Sequence, residues 1–257
     1  MVQGGVGGTN RAGWLVMAAA VLIVAAACAP PPPPPVDAGA TDRPVVLLDG
    51  WQLDCHISGP AAWRTWSHEA SLRQGAAADV SVFEYDACRP NSEAIDAFGR
   101  FVDGVLRRTG ATEVNVVAHS MGSLIVRSCI RFGTCGDKID KFLSLAGANH
   151  GTVWAGVCRL AFWSLSTCDM EPGGQFLDQL NRDDETWGDT AYVTMISACD
   201  LTIVPFTSAA LDGALNIVSD RCVGHTDWLS DPVAARWTLD WFGGGPVSPP
   251  LPGPPAG

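Results

Sequence analysis

Basic residues are scarce in this chain of 257 residues. Lys and Arg together number 16 against 27 Asp and Glu, so the formal net charge is −11 and the isoelectric point is near 4.7. Because DNA and RNA phosphates are bound by clustered Lys and Arg, this composition argues against a nucleic-acid partner. The excess negative charge opposes self-association, so it suits an exported, soluble protein that we expect to be a monomer.

The apolar run near the N-terminus, residues 14–28, is too short for a convincing membrane-spanning helix. It follows Arg11 and ends in small residues, which is typical of a secretory signal, so we predict a signal peptide over residues 1–27. Cleavage before Cys28 and lipid attachment to that cysteine would give a cell-surface lipoprotein whose lipid is its only membrane contact. Ordinary cleavage would release a secreted protein, and both outcomes stay open.

The nine cysteines lack the paired C-x-x-C and the Cys/His spacings of zinc sites. Without Cys28 they number eight, and an even number behind a signal peptide favours four disulfides over scattered thiols. Spacing alone does not fix the connectivity. The pairing that closeness in sequence suggests is Cys129–Cys135 and Cys158–Cys168, with Cys55–Cys88 and Cys199–Cys222 for the remaining four.

Both ends of the chain are too rich in proline and glycine to pack a core. Residues 30–35 are six consecutive prolines, which predict a stiff, extended tether over residues 28–43. Residues 244–257 similarly predict a disordered tail. One folded domain, residues 44–243, remains between them.

Short apolar strands alternate with helical segments along this domain. Strand patterns cover residues 44–50, 79–86, 113–118, 141–147, 192–198 and 214–219. Helical patterns lie near residues 61–74, 90–110, 121–132 and 232–241. The alternation predicts an α/β fold, with a mostly parallel central sheet of about six strands and helices on both faces. Residues 151–190 fit it poorly, so we expect an insertion over the carboxyl edge of the sheet.

Ser120 lies in the sequence VNVVAHSMGS, after a predicted strand and before a predicted helix. This context is typical of a nucleophile elbow, whose strained backbone exposes the serine and requires small neighbours. Ala118 and Gly122 are such neighbours. The N–H of Met121, at the start of the helix, would then face a developing oxyanion. The alternative is an ordinary turn between a strand and a helix.

A serine nucleophile needs a histidine base, which in this kind of fold follows the serine and the acid in the chain. Of the five histidines only His150 and His225 follow Ser120. His225 lies in a loop between the last strand and the last helix, where the base is expected. His150 comes too early to leave room for a strand that carries the acid, so we interpret it as a loop histidine.

The acid is expected at the end of the strand before the base, and Asp200 has that position in the sequence MISACDLTIVP. Asp212 and Asp220 lie in turn-like settings and are interpreted as solvated. A disulfide between Cys199 and Cys222 would fasten the acid loop to the base loop, although two separate structural cysteines are the alternative.

A second oxyanion donor is expected in the loop after the first strand, which reads Asp49-Gly50-Trp51. Gly50 lets the chain turn, and the N–H of Trp51 is the candidate donor. The alternative is a simple turn in which Trp51 packs against its neighbours.

Four segments of the chain resemble the class 2, or lidless, lipases of the α/β-hydrolase superfamily, whose elbow is A-H-S-x-G. They are AHSMG, LAGANHGT, SACDLTIVP and VGH, in the order of the family, and the resemblance covers about residues 44–242. It implies a minimal α/β-hydrolase fold and hydrolysis of carboxylic esters through Ser120, Asp200 and His225. It also implies an ester or lipid substrate and no metal or organic cofactor.

The resemblance further implies oxyanion donors at Trp51 and Met121, but the first loop departs from the family pattern. The family usually has His-Gly where this chain has Asp49-Gly50. A carboxylate there would weaken oxyanion binding unless Asp49 is turned away and hydrogen-bonded.

Several tryptophans lie in segments predicted near the site and would line an acyl groove or an interfacial surface, or else pack the core. They are Trp51, Trp154, Trp163 and Trp228. Lipase and short-chain esterase activities both fit the pattern. A fold that has lost catalysis and serves as a surface binding module also stays open, as do a peptidase and an acyltransferase that use the same triad.

Overall fold

The computed structural model of the protein describes residues 43–51, 79–158 and 165–245, together with Met1. Several predictions lie outside the described residues. They are the signal peptide, Cys28, nearly all of the tether, Cys55, the helix near residues 61–74, Trp163, and the tail beyond residue 245.

Six parallel strands form one sheet at the centre of the domain. They are β1 (Val45–Leu48), β2 (Val80–Phe83), β3 (Val114–His119), β4 (Ile139–Leu145), β5 (Ala191–Ile196) and β6 (Leu215–Val218). Their spatial order is β2-β1-β3-β4-β5-β6. The carboxyl ends of β3, β5 and β6 therefore open on the same edge of the sheet, which brings the loops after them together.

The described ranges contain five helices, of which the first, second and fifth lie close to predicted segments, while the third and fourth fall in the predicted insertion, where no helix was expected. They are α1 (Asn91–Thr109), α2 (Gly122–Phe132), α3 (Leu165–Cys168), α4 (Gln175–Leu180) and α5 (Pro232–Phe242), with 3₁₀ turns at Val153–Val157, Phe206–Ala209 and Asp227–Leu229. In the described ranges, no helix combines the length and the apolar character needed to cross a bilayer.

Helices cover both faces of the sheet, as β4 demonstrates. Lys141 Nζ donates a hydrogen bond to the Trp241 carbonyl of α5 at 2.7 Å. Ser144 Oγ, three residues further along the strand, donates to Ser123 Oγ of α2 at 2.9 Å. Residues an odd number apart in a strand point to opposite faces, so α2 and α5 lie on opposite sides. The α/β fold predicted from the sequence is confirmed.

The helix α1 forms where the apolar period of 3.6 residues predicts it. Phe98, Val102 and Val105 are fully buried on its inner face. The helix ends at Gly110, whose φ of 76° is the left-handed conformation that glycine adopts without steric cost.

The long connection between β4 and β5 divides into two parts, only one of which lies over the carboxyl edge as predicted. Thr152 Oγ1 donates to the Thr202 carbonyl at 2.6 Å, so the first part runs beside the loop that follows β5. The second part packs against the flank of α2 through Arg127. That side chain donates from Nη2 to Asn181 Oδ1 at 2.8 Å and to the Glu185 carbonyl at 3.3 Å.

The structure contains three of the disulfides that closeness in sequence suggests. They are Cys129–Cys135, Cys158–Cys168 and Cys199–Cys222. Cys88 is also disulfide-bonded, while Cys55, its predicted partner, lies outside the described residues.

Arg127→Ala should destabilise the protein, because Arg127 is only 1% exposed and ties α2 to the connection before β5. Burial lowers the pKa of Arg127 to about 10, so the side chain stays charged at neutral pH. Its loss leaves partly buried carbonyl and amide oxygens without this donor, and we expect the free energy of unfolding to fall by about 3 kcal/mol.

Urea denaturation of this variant measures the loss, with Arg100→Ala as the control because Arg100 is exposed on α1. Equal unfolding midpoints for the two variants would contradict the role given to Arg127.

Candidate active site

Ser120 occupies a tight turn between β3 and α2, with a positive φ of 54° that is rare for a residue other than glycine. Main-chain hydrogen bonds hold the turn in place. The Ser120 N–H donates to the Leu145 carbonyl at 2.9 Å, and the Ser120 carbonyl accepts from Ser123 N at 3.1 Å and from Ala148 N at 3.2 Å. The segment after β4 therefore supports the backbone of the elbow directly.

Small residues are required on two sides of this turn. A Cβ atom on Gly122 would overlap the carbonyl oxygen of Asp49, and a Cβ on Gly50 would lie 2.5 Å from Ser120 Cβ. The loop after β1 and the elbow thus pass each other with no room for a side chain between them.

The structure brings the side chain of His225 within hydrogen-bond distance of both Ser120 and Asp200. His225 Nε2 lies 3.0 Å from Ser120 Oγ, and His225 Nδ1 lies 2.8 Å from Asp200 Oδ2. With the Nδ1 proton donated to the carboxylate, Nε2 is left free to accept the proton of the serine hydroxyl. This is the geometry of a nucleophile, a base and an orienting acid.

Asp200 is held as a carboxylate although it is only 5% exposed. Burial by itself would raise the pKa of Asp200, but the hydrogen bond to His225 and the main-chain donors outweigh burial and lower it. Those donors are Thr202 N at 2.8 Å and Ile203 N at 2.9 Å, both on Oδ1.

The surroundings of His225 favour the neutral imidazole at neutral pH. Burial lowers the pKa of His225 below its ordinary value, and repulsion from nearby His119 acts in the same direction. The hydrogen bond to Asp200 opposes this shift without cancelling it. A neutral imidazole is the form that can accept a proton from a hydroxyl group.

The acid loop and the base loop are fastened to each other at several points. The Cys199–Cys222 disulfide joins the residue before Asp200 to the third residue before His225. Ser197 Oγ also accepts hydrogen bonds from Cys199 N and from Val223 N, both at 3.1 Å. These links fix the separation of the two loops that carry Asp200 and His225.

Both candidate oxyanion donors lie within the described residues. Met121 follows Ser120 at the entrance to α2 and is fully buried, while Trp51 is half-buried. Gly50 lies against Ser120, so the loop that carries Trp51 passes directly beside the serine.

The carboxylate of Asp49 is hydrogen-bonded. Its Oδ1 accepts from the Gly50 N–H at 2.7 Å and lies 3.1 Å from His119 Nδ1.

His150, which was set aside in the sequence, is paired with a carboxylate outside this cluster of side chains. His150 Nε2 pairs with Glu185 Oε1 at 2.7 Å, and that bond raises the pKa of His150. Asp212 and Asp220 are exposed.

Trp228 and Trp154, two of the tryptophans considered for a groove, differ in burial. Trp228 is fully buried and packs in the main hydrophobic core, so this part of the prediction is wrong. Trp154 is 56% exposed, and its Nε1 donates to the Leu201 carbonyl beside the acid loop at 2.9 Å.

Sequence reasoning assigned no role to His119, which is buried next to the site. Its Nε2 lies 2.9 Å from the carbonyl oxygen of His225. The signal available in the sequence was the presence of Asp49 in the first loop together with a histidine directly before Ser120. Within the residues that the structure describes, no group of three or more His, Cys, Asp or Glu side chains could hold a metal ion.

Solved structures of lipases share the fold of this chain at low sequence identity. Aspergillus fumigatus lipase B matches with a TM-score of 0.66 and 17% identity, over 78% of this chain and 52% of that one. Bacillus licheniformis lipase BlEst2 in its propeptide form gives 0.65 and 13%, over 86% and 54%. Paleococcus ferrophilus monoacylglycerol lipase gives 0.56 and 13%, over 80% and 96%. The chain spans about half the length of the first two proteins.

The sequence pattern of the family described as lipase (class 2) matches residues 76–226. That stretch is more than half of the chain and includes the elbow, the acid loop and the base loop. The chain therefore belongs to the class 2 lipase family.

Proposed function

We propose that this protein is a serine hydrolase that cleaves carboxylic esters through an acyl-enzyme intermediate. The observation that carries the proposal is the hydrogen-bonded series Ser120 Oγ, His225 and Asp200, with distances of 3.0 and 2.8 Å. His225 and Asp200, from two other loops, form a hydrogen-bonded series with the hydroxyl group of Ser120. Membership of a lipase family supports the same chemistry.

In the proposed reaction, His225 Nε2 takes the proton of Ser120 as the oxygen attacks the ester carbonyl. Asp200 keeps the imidazole in the required tautomer and stabilises its charged form. His225 then protonates the leaving alcohol, which leaves an acyl group on Ser120. Water attacks the acyl-enzyme with His225 again as base, and the acid product is released.

The tetrahedral intermediate places a negative charge on the former carbonyl oxygen. The N–H of Met121, at the amino end of α2, is one proposed donor, and the helix dipole favours negative charge there. The N–H of Trp51 is the second proposed donor. Its support is the close approach of the neighbouring Gly50 to Ser120.

The proposed substrates are esters with an apolar acyl group, as in a lipase, and a short-chain esterase is the second candidate. The lipase is favoured by large apolar side chains that remain exposed near Asp200. Leu201 is 79% exposed, Trp154 56% and Val153 54%. Their contact through the Trp154–Leu201 hydrogen bond makes them one apolar surface beside the acid loop, suited to a lipid phase.

We also propose that the protein acts outside the cytoplasm, either released or anchored by lipid at Cys28. The three disulfides between described cysteines, and a further one at Cys88, are typical of an oxidising compartment.

Ser120→Ala should abolish turnover of p-nitrophenyl butyrate, by about 10⁴-fold or more, because no other nucleophile replaces the hydroxyl. Ser92→Ala is the matched control, since Ser92 is exposed on α1. A fluorophosphonate probe should label the native protein and leave the Ser120 variant unlabelled. Turnover retained in the Ser120 variant, or failure of the native protein to react with the probe, would overturn the proposal.

The pH dependence of kcat/KM should report His225. Only the neutral imidazole is a base, so activity should rise with pH through the His225 pKa and level off above it. Because burial lowers this pKa, we expect the midpoint below about 6.5. Initial rates between pH 4.5 and 9, corrected with the Ser120→Ala variant, would measure it. A midpoint above the ordinary histidine value would contradict the assignment of a buried base.

Leu201→Ser should reduce hydrolysis of emulsified tributyrin more than that of soluble p-nitrophenyl acetate. The lost apolar contact with a lipid surface should lower the first rate by roughly threefold or more and leave the second nearly unchanged. Phe132→Ser is the control, because Phe132 is 57% exposed at the far end of α2. Equal effects of Leu201→Ser on the two substrates would favour the short-chain esterase.

A further inference from the structure

His119 is a buried histidine with both ring nitrogens hydrogen-bonded to oxygen atoms. It is 3% exposed and is the last residue of β3, directly before Ser120. Nδ1 lies 3.1 Å from Asp49 Oδ1, and Nε2 lies 2.9 Å from the carbonyl oxygen of His225. The two partners belong to different loops, so one imidazole bridges the loop after β1 and the base loop.

The hydrogen-bond chemistry of this bridge fixes how many protons it holds. A carbonyl oxygen can only accept, so His119 Nε2 must carry a hydrogen. A neutral imidazole would then present a bare Nδ1 to the carboxylate of Asp49, which is repulsive. Either His119 is an imidazolium facing an ionised Asp49, or Asp49 is protonated and donates to Nδ1. In both cases the Asp49–His119 pair shares one proton and carries no net charge.

This pair contacts His225 at an atom that neither Ser120 nor Asp200 uses. The side chain of His225 bonds to Ser120 and Asp200, while its main-chain carbonyl bonds to His119. The two imidazole rings lie 4.6 Å apart between centroids. The base is therefore held at its backbone as well as at its ring.

Further bonds fix Asp49 itself. Gly50 N donates to its carboxylate at 2.7 Å, and Tyr85 Oη donates to its main-chain carbonyl at 2.9 Å. Burial raises the pKa of Tyr85 well above its ordinary value, so this hydroxyl remains a donor. These bonds hold Asp49 in place within the loop that also carries the proposed donor Trp51, and they tie that loop to Tyr85.

We propose that the Asp49–His119 pair positions the base, by holding the carbonyl of His225 and linking its loop to the oxyanion loop. The inference rests on the proposed function of Ser120 and His225. His119 is a positioning residue that does not touch substrate. Because the pair is neutral overall, it also explains how an aspartate is accommodated beside Gly50 and Trp51, where an unpaired negative charge would oppose an oxyanion.

Two substitutions of His119 separate the bond to His225 from the bond to Asp49. The amide nitrogen of glutamine reaches the place of Nε2, so His119→Gln can still donate to the His225 carbonyl. The amide nitrogen of asparagine reaches only the place of Nδ1, so His119→Asn keeps the Asp49 contact and loses the other. His150→Gln is the matched control, because His150 is also paired with a carboxylate, that of Glu185.

We expect His119→Asn to lower kcat on p-nitrophenyl butyrate by about 10- to 100-fold with KM within about twofold, because a displaced base slows the chemical step. His119→Gln should recover most of this loss, and His150→Gln should match the native enzyme. Native kcat in His119→Asn would overturn the proposal. Equal losses of kcat in the two His119 variants, in proportion to their melting temperatures, would also overturn it, since they would indicate a structural role only.

A second readout does not depend on turnover. In protein labelled with ¹⁵N-histidine, His119 Nε2 should be protonated and protected from exchange, with its signal assigned by the His119 variants. An unprotonated Nε2 would overturn the proposal, because such a nitrogen cannot donate to the carbonyl. A native protein that hydrolyses no ester while keeping this protonated nitrogen would instead refute the proposed function alone.

Discussion

The backbone of Ser120 is the constraint around which the rest of the domain is arranged. A positive φ at a serine costs about 1–3 kcal/mol and persists only where the surroundings leave no alternative. Here β3 is a central strand, buried along its whole length, and α2 is buried over most of its length. With both arms of the turn fixed, the hydroxyl of Ser120 is directed at the edge of the sheet, and Gly50 and Gly122 leave the space that this requires.

Two histidine–carboxylate pairs meet at this edge, and their environments give them different chemistry. In the first, Asp200 is stabilised as a carboxylate by main-chain donors and His225 is left neutral by burial. In the second, Asp49 and His119 share a proton because both partners of the imidazole are oxygen atoms. A neutral histidine suits proton transfer, whereas a histidine with both ring nitrogens hydrogen-bonded suits a bridge between loops.

The polar side chains of Ser120 and Asp200 are buried, while apolar side chains next to the acid are exposed. Asp200 is 5% exposed, yet Leu201, the next residue, is 79% exposed. The acid loop therefore presents its charge inward and its apolar side chain outward. An exposed apolar side chain next to the buried acid suits an ester in a lipid phase, the proposed class of substrate.

The sequence by itself determined the alternation of strands and helices, the elbow at Ser120 and the chain order of the proposed triad. These features depend on local periodicity, small residues and spacing, which are written along the chain. It predicted Asp200 and His225 because each follows a strand whose end must lie at one edge of a parallel sheet.

Only the tertiary structure decided that Trp228 belongs to the core, since burial depends on what α5 and the sheet enclose. Only the structure brought Asp49 to His119, because these side chains are 70 residues apart and meet through the pairing of β1 with β3. Contacts between distant segments arise from packing, and no local pattern records which side chains that packing will bring together.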